Sequence, residues 1–343
     1  MCLNKTIARK PGALMSPVSV LIPTYNRAHM IERAVESARC QSFAPREIVI
    51  VDDGSTDDTH LVVEGLRKTD PRIRAVYQEC NRGVAATRNR CLAEAQGEFV
   101  AFLDSDDTWR QGHLESCLAF FKVAADLDVV FADIQCVAAD DRLIFPKLLW
   151  ETMRIDRFLT KAPEGSERYR FRVLEEDAFL RDFLIRIQAA VVRRTAALQF
   201  PFDESLRIGE DWDFFLRMAR AGKRFGFINQ IHCSMLIHEG NLVANGQNTI
   251  RESEEVSKVW LKLLNDPTVT PSQQWIVRGQ LGKLRFDEGY AYYRKGNRRE
   301  AVRAYWSSLR ARLSYRTVKA LVLAACLPAW VVQRRHPEIF PRL

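Results

Sequence analysis

Three carboxylates, Asp104, Asp106 and Asp107, fall within four residues at the end of an apolar run from Phe99 to Leu103. A run of that kind reads as a strand covered on both faces, and acids crowded at its carboxyl end repel one another unless a cation neutralises them. The chemistry this suggests is a metal site. The same Asp-Ser-Asp-Asp string also suits a loop followed by a helix entering at Trp109, and Asp107 is read as that helix's cap. For Asp104 and Asp106 the choice depends on what the rest of the chain supplies.

The elements that must position these acids are legible as alternating strands and helices. Val18 to Ile22, Glu47 to Val51, Ile73 to Tyr77 and Phe99 to Leu103 are short β-rich runs. Helix-length stretches with apolar residues at helical spacing separate them, including Gly83 to Ala95, and another helix is expected from Gln111 to Ala125. Strands at Asp128 to Phe131 and Ala189 to Arg193 extend the series. Such alternation implies a mostly parallel sheet with helices on both faces.

In sheets of this kind ligands sit beyond the carboxyl ends of the strands. Those ends carry Pro23-Thr-Tyr-Asn-Arg27, then Asp52-Asp-Gly-Ser55, then Asn81-Arg-Gly83 with Arg88 and Asn89, and then Asp104-Ser-Asp106. Polar groups therefore converge at one edge. A second acidic pair, Glu210 and Asp211, stands in the first turn of a helix after Gly209, where the helix dipole favours negative charge. Lys147 to Arg172 shows no clean period and is read as irregular structure shaping a second half-site.

With 343 residues, 47% of them hydrophobic, the chain can bury a sizeable core as two domains or one large domain with an appendage. Its eight cysteines include no C-x-x-C pair and no regular spacing, so neither a zinc site nor a disulfide framework is expected; reduced thiols and a cytosolic location follow. Met1 to Met15 has Lys5, Arg9 and Lys10 but no apolar core, and residues 1–16 read as a loose tail. The longest apolar candidate, Val318 to Val332, is broken by Lys319 and Pro328, so no membrane-spanning helix is expected.

Charge is unevenly placed. From Pro271 onward 15 Lys and Arg face 4 Asp and Glu, whereas the whole chain carries only +8. A basic tail suits an anionic membrane surface or a solvated helical face, and no nucleic-acid-binding motif accompanies it. From Ser253 the chain reads as helices. Gly289, Tyr292, Gly296, Ala301 and Tyr305 fall at the spacing of one tetratricopeptide-like hairpin, but with no second copy a generic helical cap is the better reading.

Taken in order, the motifs at 23–27, 52–55, 81–89, 104–106 and 209–212 resemble those of family 2 glycosyltransferases of the GT-A fold, over about residues 17 to 240. The resemblance implies an α/β catalytic domain over 17–245, with a nucleotide-binding half (17–131) and an acceptor half (132–245). A basic helical region, 246–343, follows it. It also implies an inverting transfer from a nucleoside-diphosphate sugar, a UDP-sugar foremost, to a saccharide or lipid-linked saccharide acceptor in cell-surface polysaccharide synthesis. The location is then cytoplasmic, peripheral at the inner face of the membrane.

The same resemblance assigns roles. Asp106 ligates Mn²⁺ or Mg²⁺, which stabilises the departing diphosphate; Asp104, beside Ser105, contacts the ribose or the metal's water shell. Asp211 is the general base that takes the acceptor's proton, with Glu210 as rival. Pro23, Thr24, Tyr25 and Arg27 wall the base pocket, and Asp52 and Asp53 recognise the nucleotide, a plain Asp-Gly-Ser turn being the alternative. Arg88 reaches the nucleotide or forms a surface ion pair. His238 joins the metal or diphosphate, or is a satisfied structural histidine. Trp212 lines the acceptor site or belongs to the core. Other readings remain: a catalytically weak GT-A binding or scaffold protein, and a sugar-nucleotide pyrophosphorylase, although the latter expects a glycine-rich basic loop after the first strand. A dinucleotide-dependent dehydrogenase lacks its G-x-G-x-x-G.

Overall fold

The computed structural model describes residues 16–163, 165, 167–172, 175–238 and 249–326. The expected tail before residue 16, the second half of the apolar run 318–332 and the basic residues after 326 lie outside these. Two compact units divide after His238.

In the first unit β1 (Val18–Thr24), α1 (Ile31–Arg39), β2 (Glu47–Asp52), α2 (Thr59–Thr69), β3 (Ile73–Tyr77), α3 (Val84–Glu94) and β4 (Phe99–Phe102) alternate as expected. Then come β5 (Thr108–Trp109), α4 (His113–Val123), β6 (Val129–Ala138), β7 (Leu143–Phe145), β8 (Leu159–Lys161), β9 (Arg168–Phe171) and α5 (Glu175–Arg181). The unit ends with β10 (Ala190–Arg193), α6 (Arg194–Ala197), α7 (Glu210–Arg220) and β11 (Phe225–Ile237).

The strands form one sheet in the order β3-β2-β1-β4-β10-β6-β11-β9-β8, with β5 on β11 and β7 on β6. Its parallel character is concentrated in β3-β2-β1-β4 and recurs at β6-β11; β10 runs antiparallel to both its neighbours, so the whole sheet is mixed. Chain order reverses between β1 and β4, and the loops leaving those two strands flank the reversal, where open α/β sheets bind ligands.

Every residue of β1, β2 and β4 is buried, which is why these strands read as unbroken apolar runs. Val18, Val20, Ile22, Ile48 and Ile50 pack on one face with Ile31, Ala34, Val35 and Ala38 of α1 and Leu114, Cys117 and Phe120 of α4. On the face occupied by α7, Phe202 stacks on Phe214 with ring centroids 4.5 Å apart, and Phe102 meets both edge-on. The core thus holds the sheet's carboxyl edge rigid from both sides.

One local expectation is corrected here. No helix enters at Trp109: Thr108 and Trp109 pair antiparallel with Ser234 and Cys233, and α4 begins at His113 behind Gly112. The Trp109 indole donates to the Gln188 carbonyl at 2.6 Å, so a partner far along the chain overrides the local helix signal. The described residues between 147 and 172 form short irregular pieces, a π-helical turn at 148–152, a 3₁₀ turn at 155–158 and the strands β8 and β9, in keeping with the irregular structure expected there. Asp133, fully buried on β6, accepts from the backbone N–H groups of Leu149 and Trp150 at 2.8 and 2.9 Å and pins a π-helical turn there.

The second unit consists of α8 (Thr249–Leu264), α9 (Pro271–Arg294), α10 (Arg298–Ala311) and α11 (Tyr315–Cys326). Thr270 and Gln273 form a reciprocal capping box ahead of α9, with Pro271 at its first position. Gly289 faces Tyr305 so closely that a Cβ would lie 2.7 Å from its ring, and Phe286, Tyr293, Ala301, Ala320 and Ala324 complete a small core. Among the described residues no helix is long and apolar enough to cross a membrane.

Candidate functional site

The parallel register sets Thr24 of β1 beside Asp52 of β2, so the loops that follow are neighbours and are stitched together. Asn26, held at φ +51°, accepts at its side-chain oxygen from Thr56 N–H at 2.8 Å, and its own N–H donates to Ser55 Oγ at 2.8 Å. Arg27 N–H donates to Thr59 Oγ1 at 2.8 Å. Tyr25 stands 39% exposed at the mouth, while Pro23 and Thr24 are buried in β1.

Asp52 and Asp53 are both buried and both serve the loops. Asp52 accepts from Ser55 N–H and hydroxyl, which is the Asp-Gly-Ser turn itself. Asp53 accepts from Gln78 Nε2, Arg82 N–H and Gly83 N–H at 2.8–2.9 Å, tying β2 to the Asn81-Arg-Gly83 turn. Burial raises its pKa even though these bonds oppose the shift. Between them Gly54 sits at φ +70°, where a Cβ would lie 2.8 Å from the Cys80 carbonyl carbon. Gly54→Ala is therefore expected to lower stability by about 2 kcal/mol, read by thermal unfolding.

Across the reversal, the acids after β4 separate into different environments. Asp107 is not a helix cap: its carboxylate accepts from Leu236 N–H of β11 at 2.9 Å, inside the protein. Burial, with Asp106 and Asp104 adding repulsion, pushes its pKa well above the carboxylate range. Ser105 is buried. Asp106 Oδ2 lies 3.2 Å from His238 Nε2 and 3.4 Å from Arg27 Nε, bringing the ends of β1, β4 and β11 to one oxygen. Glu239 and Gly240, which follow His238 in its sequence motif, lie outside the described residues.

Asp104 and Glu210 meet through Arg88. The guanidinium donates from Nη2 to Asp104 Oδ1 at 2.8 Å and from Nη1 to Glu210 Oε1, and it is 4% exposed. Arg88 is not on the surface: it is a buried brace between the loop after β4 and the start of α7. Although burial opposes the charge, the surrounding acids hold the Arg88 pKa above its ordinary value. Burial and the Asp211 charge raise Glu210 to about 7 despite Arg88. Burial likewise raises Asp211, against the pull of Arg88 and Arg186.

Of the two acids only Asp211 is half-exposed; Glu210 is buried. Trp212 is 8% exposed, with its indole donating to the Phe179 carbonyl at 3.0 Å, so it supports α7 from the core. Arg186, which no sequence signal distinguished among 51 Lys and Arg, faces Asp211 electrostatically while its guanidinium stacks on Phe183, 4.6 Å from the ring centre.

Residues 19–184 match the sequence profile of Glycosyl transferase family 2. The match covers just under half of the chain. It is 48% identical over 103 residues to a putative teichuronic acid biosynthesis glycosyltransferase, TuaG, of Bacillus subtilis, a match that covers 30% of the chain and 41% of the relative. The relatives it matches are spanned over only 21% to 57% of their own lengths. S. aureus TarS in complex with UDP-GlcNAc superposes with a TM-score of 0.62 at 21% identity, covering 94% of this chain and 88% of that one. The mannosyltransferase PcManGT of Pyrobaculum calidifontis, in complex with GDP-Man and Mn²⁺, gives 0.58 at 19% identity over 95% and 89%. These likenesses show the GT-A fold.

Proposed function

We propose that this chain transfers a sugar from a nucleoside-diphosphate sugar to a saccharide or lipid-linked saccharide, with inversion, in the synthesis of a cell-surface polysaccharide. A UDP-sugar is the leading donor. The observation that carries this reading is the Arg88 brace, which fixes the loop bearing Asp104 and Asp106 against the helix bearing Asp211. One side of the cleft thereby addresses a leaving group and the other a proton.

Asp211, half-exposed and paired electrostatically with two arginines, is the general base for the acceptor hydroxyl. Thr24 at the end of β1, with Tyr25 and Arg27 in the loop after it, walls the nucleotide pocket, and Asp52 and Asp53 shape it while the Asp104 side receives the ribose. No group of three His, Cys, Asp or Glu among the described residues is arranged to hold a metal ion. Asp106 and His238 nonetheless fit a site completed by the substrate's phosphates, since Mg²⁺ and Mn²⁺ commonly take one or two protein ligands with phosphate oxygens. A cation held there supplies Lewis-acid stabilisation of the diphosphate as it leaves.

The test is a thermal-shift screen of UDP-, GDP- and dTDP-sugars with Mn²⁺, followed by transfer assays. One nucleotide class is expected to raise the melting temperature by about 5 °C at saturation, through mass action, and Asp106→Ala to abolish the Mn²⁺-dependent part. Transfer or donor hydrolysis surviving in both Asp106→Ala and Asp211→Asn would overturn the mechanism.

The catalytic domain is proposed to span 17–245, and the basic helical region 246–343 to rest on the anionic inner face of the membrane. Arg299, Arg303, Trp306 and Arg310 form one exposed stripe along α10, and α11 exposes Tyr315, Val318 and Val322. Basic residues interleaved with exposed aromatic and aliphatic ones suit the headgroup layer. Sedimentation with phosphatidylglycerol vesicles is expected to be salt-sensitive and to fall when Arg299, Arg303 and Arg310 become Ser; unchanged binding would refute the attachment.

A further inference from the structure

Asp106 is already engaged before any cation arrives. Its Oδ2 is shared by His238 Nε2 at 3.2 Å and Arg27 Nε at 3.4 Å, and the Arg27 and Asp106 side chains are 21% and 14% exposed. The Arg27 guanidinium is folded back over its own loop, donating from Nη1 to the carbonyls of Asn26 and Tyr25 at 3.2 and 3.4 Å. These contacts are long, and none of them fixes the backbone. The backbone is fixed separately, by Arg27 N–H on Thr59 Oγ1 and by the Asn26 bonds to Ser55 and Thr56. The loop's position therefore does not depend on where the Arg27 side chain lies.

A divalent cation on the same carboxylate oxygen would lie within a few ångströms of that guanidinium. Two positive charges at such a separation repel, and one oxygen cannot serve both well. Arg27 must give up Asp106 when a cation takes it. It then stands at the end of β1 beside the chain reversal, where the planar donors of a guanidinium suit the oxygens of a diphosphate.

We propose that Arg27 is an exchange residue: it holds Asp106 in the metal-free protein and passes to the nucleotide's diphosphate when the cation binds, so that cation and nucleotide bind as a coupled pair. The inference rests on the reading of Asp106 as a metal ligand. Its consequence is that Arg27 opposes binding of the cation alone and favours binding of the cation with nucleotide, a coupling that linkage makes reciprocal.

The experiment measures Mn²⁺ binding by the full chain, alone and with UDP or GDP, using the Mn²⁺ electron paramagnetic resonance signal of the free ion. Arg27→Gln is expected to bind Mn²⁺ alone about threefold or more tightly than the parent, the size expected for removal of a partly exposed ion pair. It should also bind the nucleoside diphosphate in the presence of Mn²⁺ about tenfold more weakly, as loss of a charge-assisted contact implies. Unchanged or weaker binding of Mn²⁺ alone by Arg27→Gln overturns the exchange. Asp106→Asn separates the two ideas. If it binds Mn²⁺ like the parent, the metal assignment falls and the exchange with it; if it loses Mn²⁺ while Arg27→Gln gains nothing, only the exchange is refuted.

Discussion

Replacing Arg88 with Met is expected to destabilise the first unit by about 3–5 kcal/mol, the range found when one partner of a buried ion pair is removed. Met fills most of the volume but leaves Asp104 and Glu210 with no cation between them. Glu210 already titrates at about 7 because burial and Asp211 outweigh Arg88. Without Arg88 its pKa rises further, and this sets a pH signature. A carboxyl whose folded pKa lies above its unfolded value contributes its full stability below the unfolded pKa, near 4.5. That contribution is lost as pH rises through the folded value. The deficit of Arg88→Met relative to the parent should therefore be small at pH 5 and grow through pH 7 to 8.5, measured by thermal unfolding at each pH. A deficit that is constant with pH would mean that packing rather than charge is what Arg88 supplies. Arg88→Lys keeps the charge but presents one ammonium where two acids need a fork, so it should recover only part of the loss.

That brace also marks the boundary of what the sequence discloses. β1, β2 and β4 are legible because burial on both faces makes them mostly apolar, and parallel pairing then dictates that their polar exits lie together. Pro23 to Arg27, Asp52 to Ser55 and Asp104 to Asp106 follow from this reasoning alone. What is illegible depends on contacts across long chain separations. Arg88 and Glu210 are 122 residues apart, and Asp107 and Leu236 are 129 apart; nothing local to Asp107 distinguishes an acid bound for β11 from a helix cap. A two-residue strand such as Thr108–Trp109 has no period to detect, and its pairing with Cys233 and Ser234 exists only in the folded sheet. The stretch from 147 to 172 shows no period because its elements are short, and at Leu149 and Trp150 the backbone is held from outside, by Asp133 on β6. Trp212 is a similar case. Its place beside the acidic pair suggested an acceptor contact, but the indole bond to Phe179 turns it inward.

Asp211→Asn is expected to cut turnover by about 10²- to 10⁴-fold, the contribution typical of a positioned general base, while leaving nucleotide binding near the parent value. The amide keeps the size and can still accept from Trp212 N–H, as the carboxylate does at 2.9 Å. The pH profile supplies the independent check. A base works only when ionised, so parental activity should fall on the acidic side at a pH above the ordinary carboxylate range, because burial raises Asp211. The residual activity of Asp211→Asn should lack that acidic limb. Glu210→Gln tests the same arrangement from the other side. It removes a charge next to Asp211 and leaves Arg88 less shared, and both changes favour ionised Asp211, so the limb should move to lower pH with much of the turnover retained. The opposite pattern, in which Glu210→Gln abolishes transfer and Asp211→Asn keeps both turnover and limb, would transfer the role of base to Glu210. The geometry argues against that exchange of roles, because Glu210 is buried against Arg88 whereas Asp211 is the less buried residue of the two.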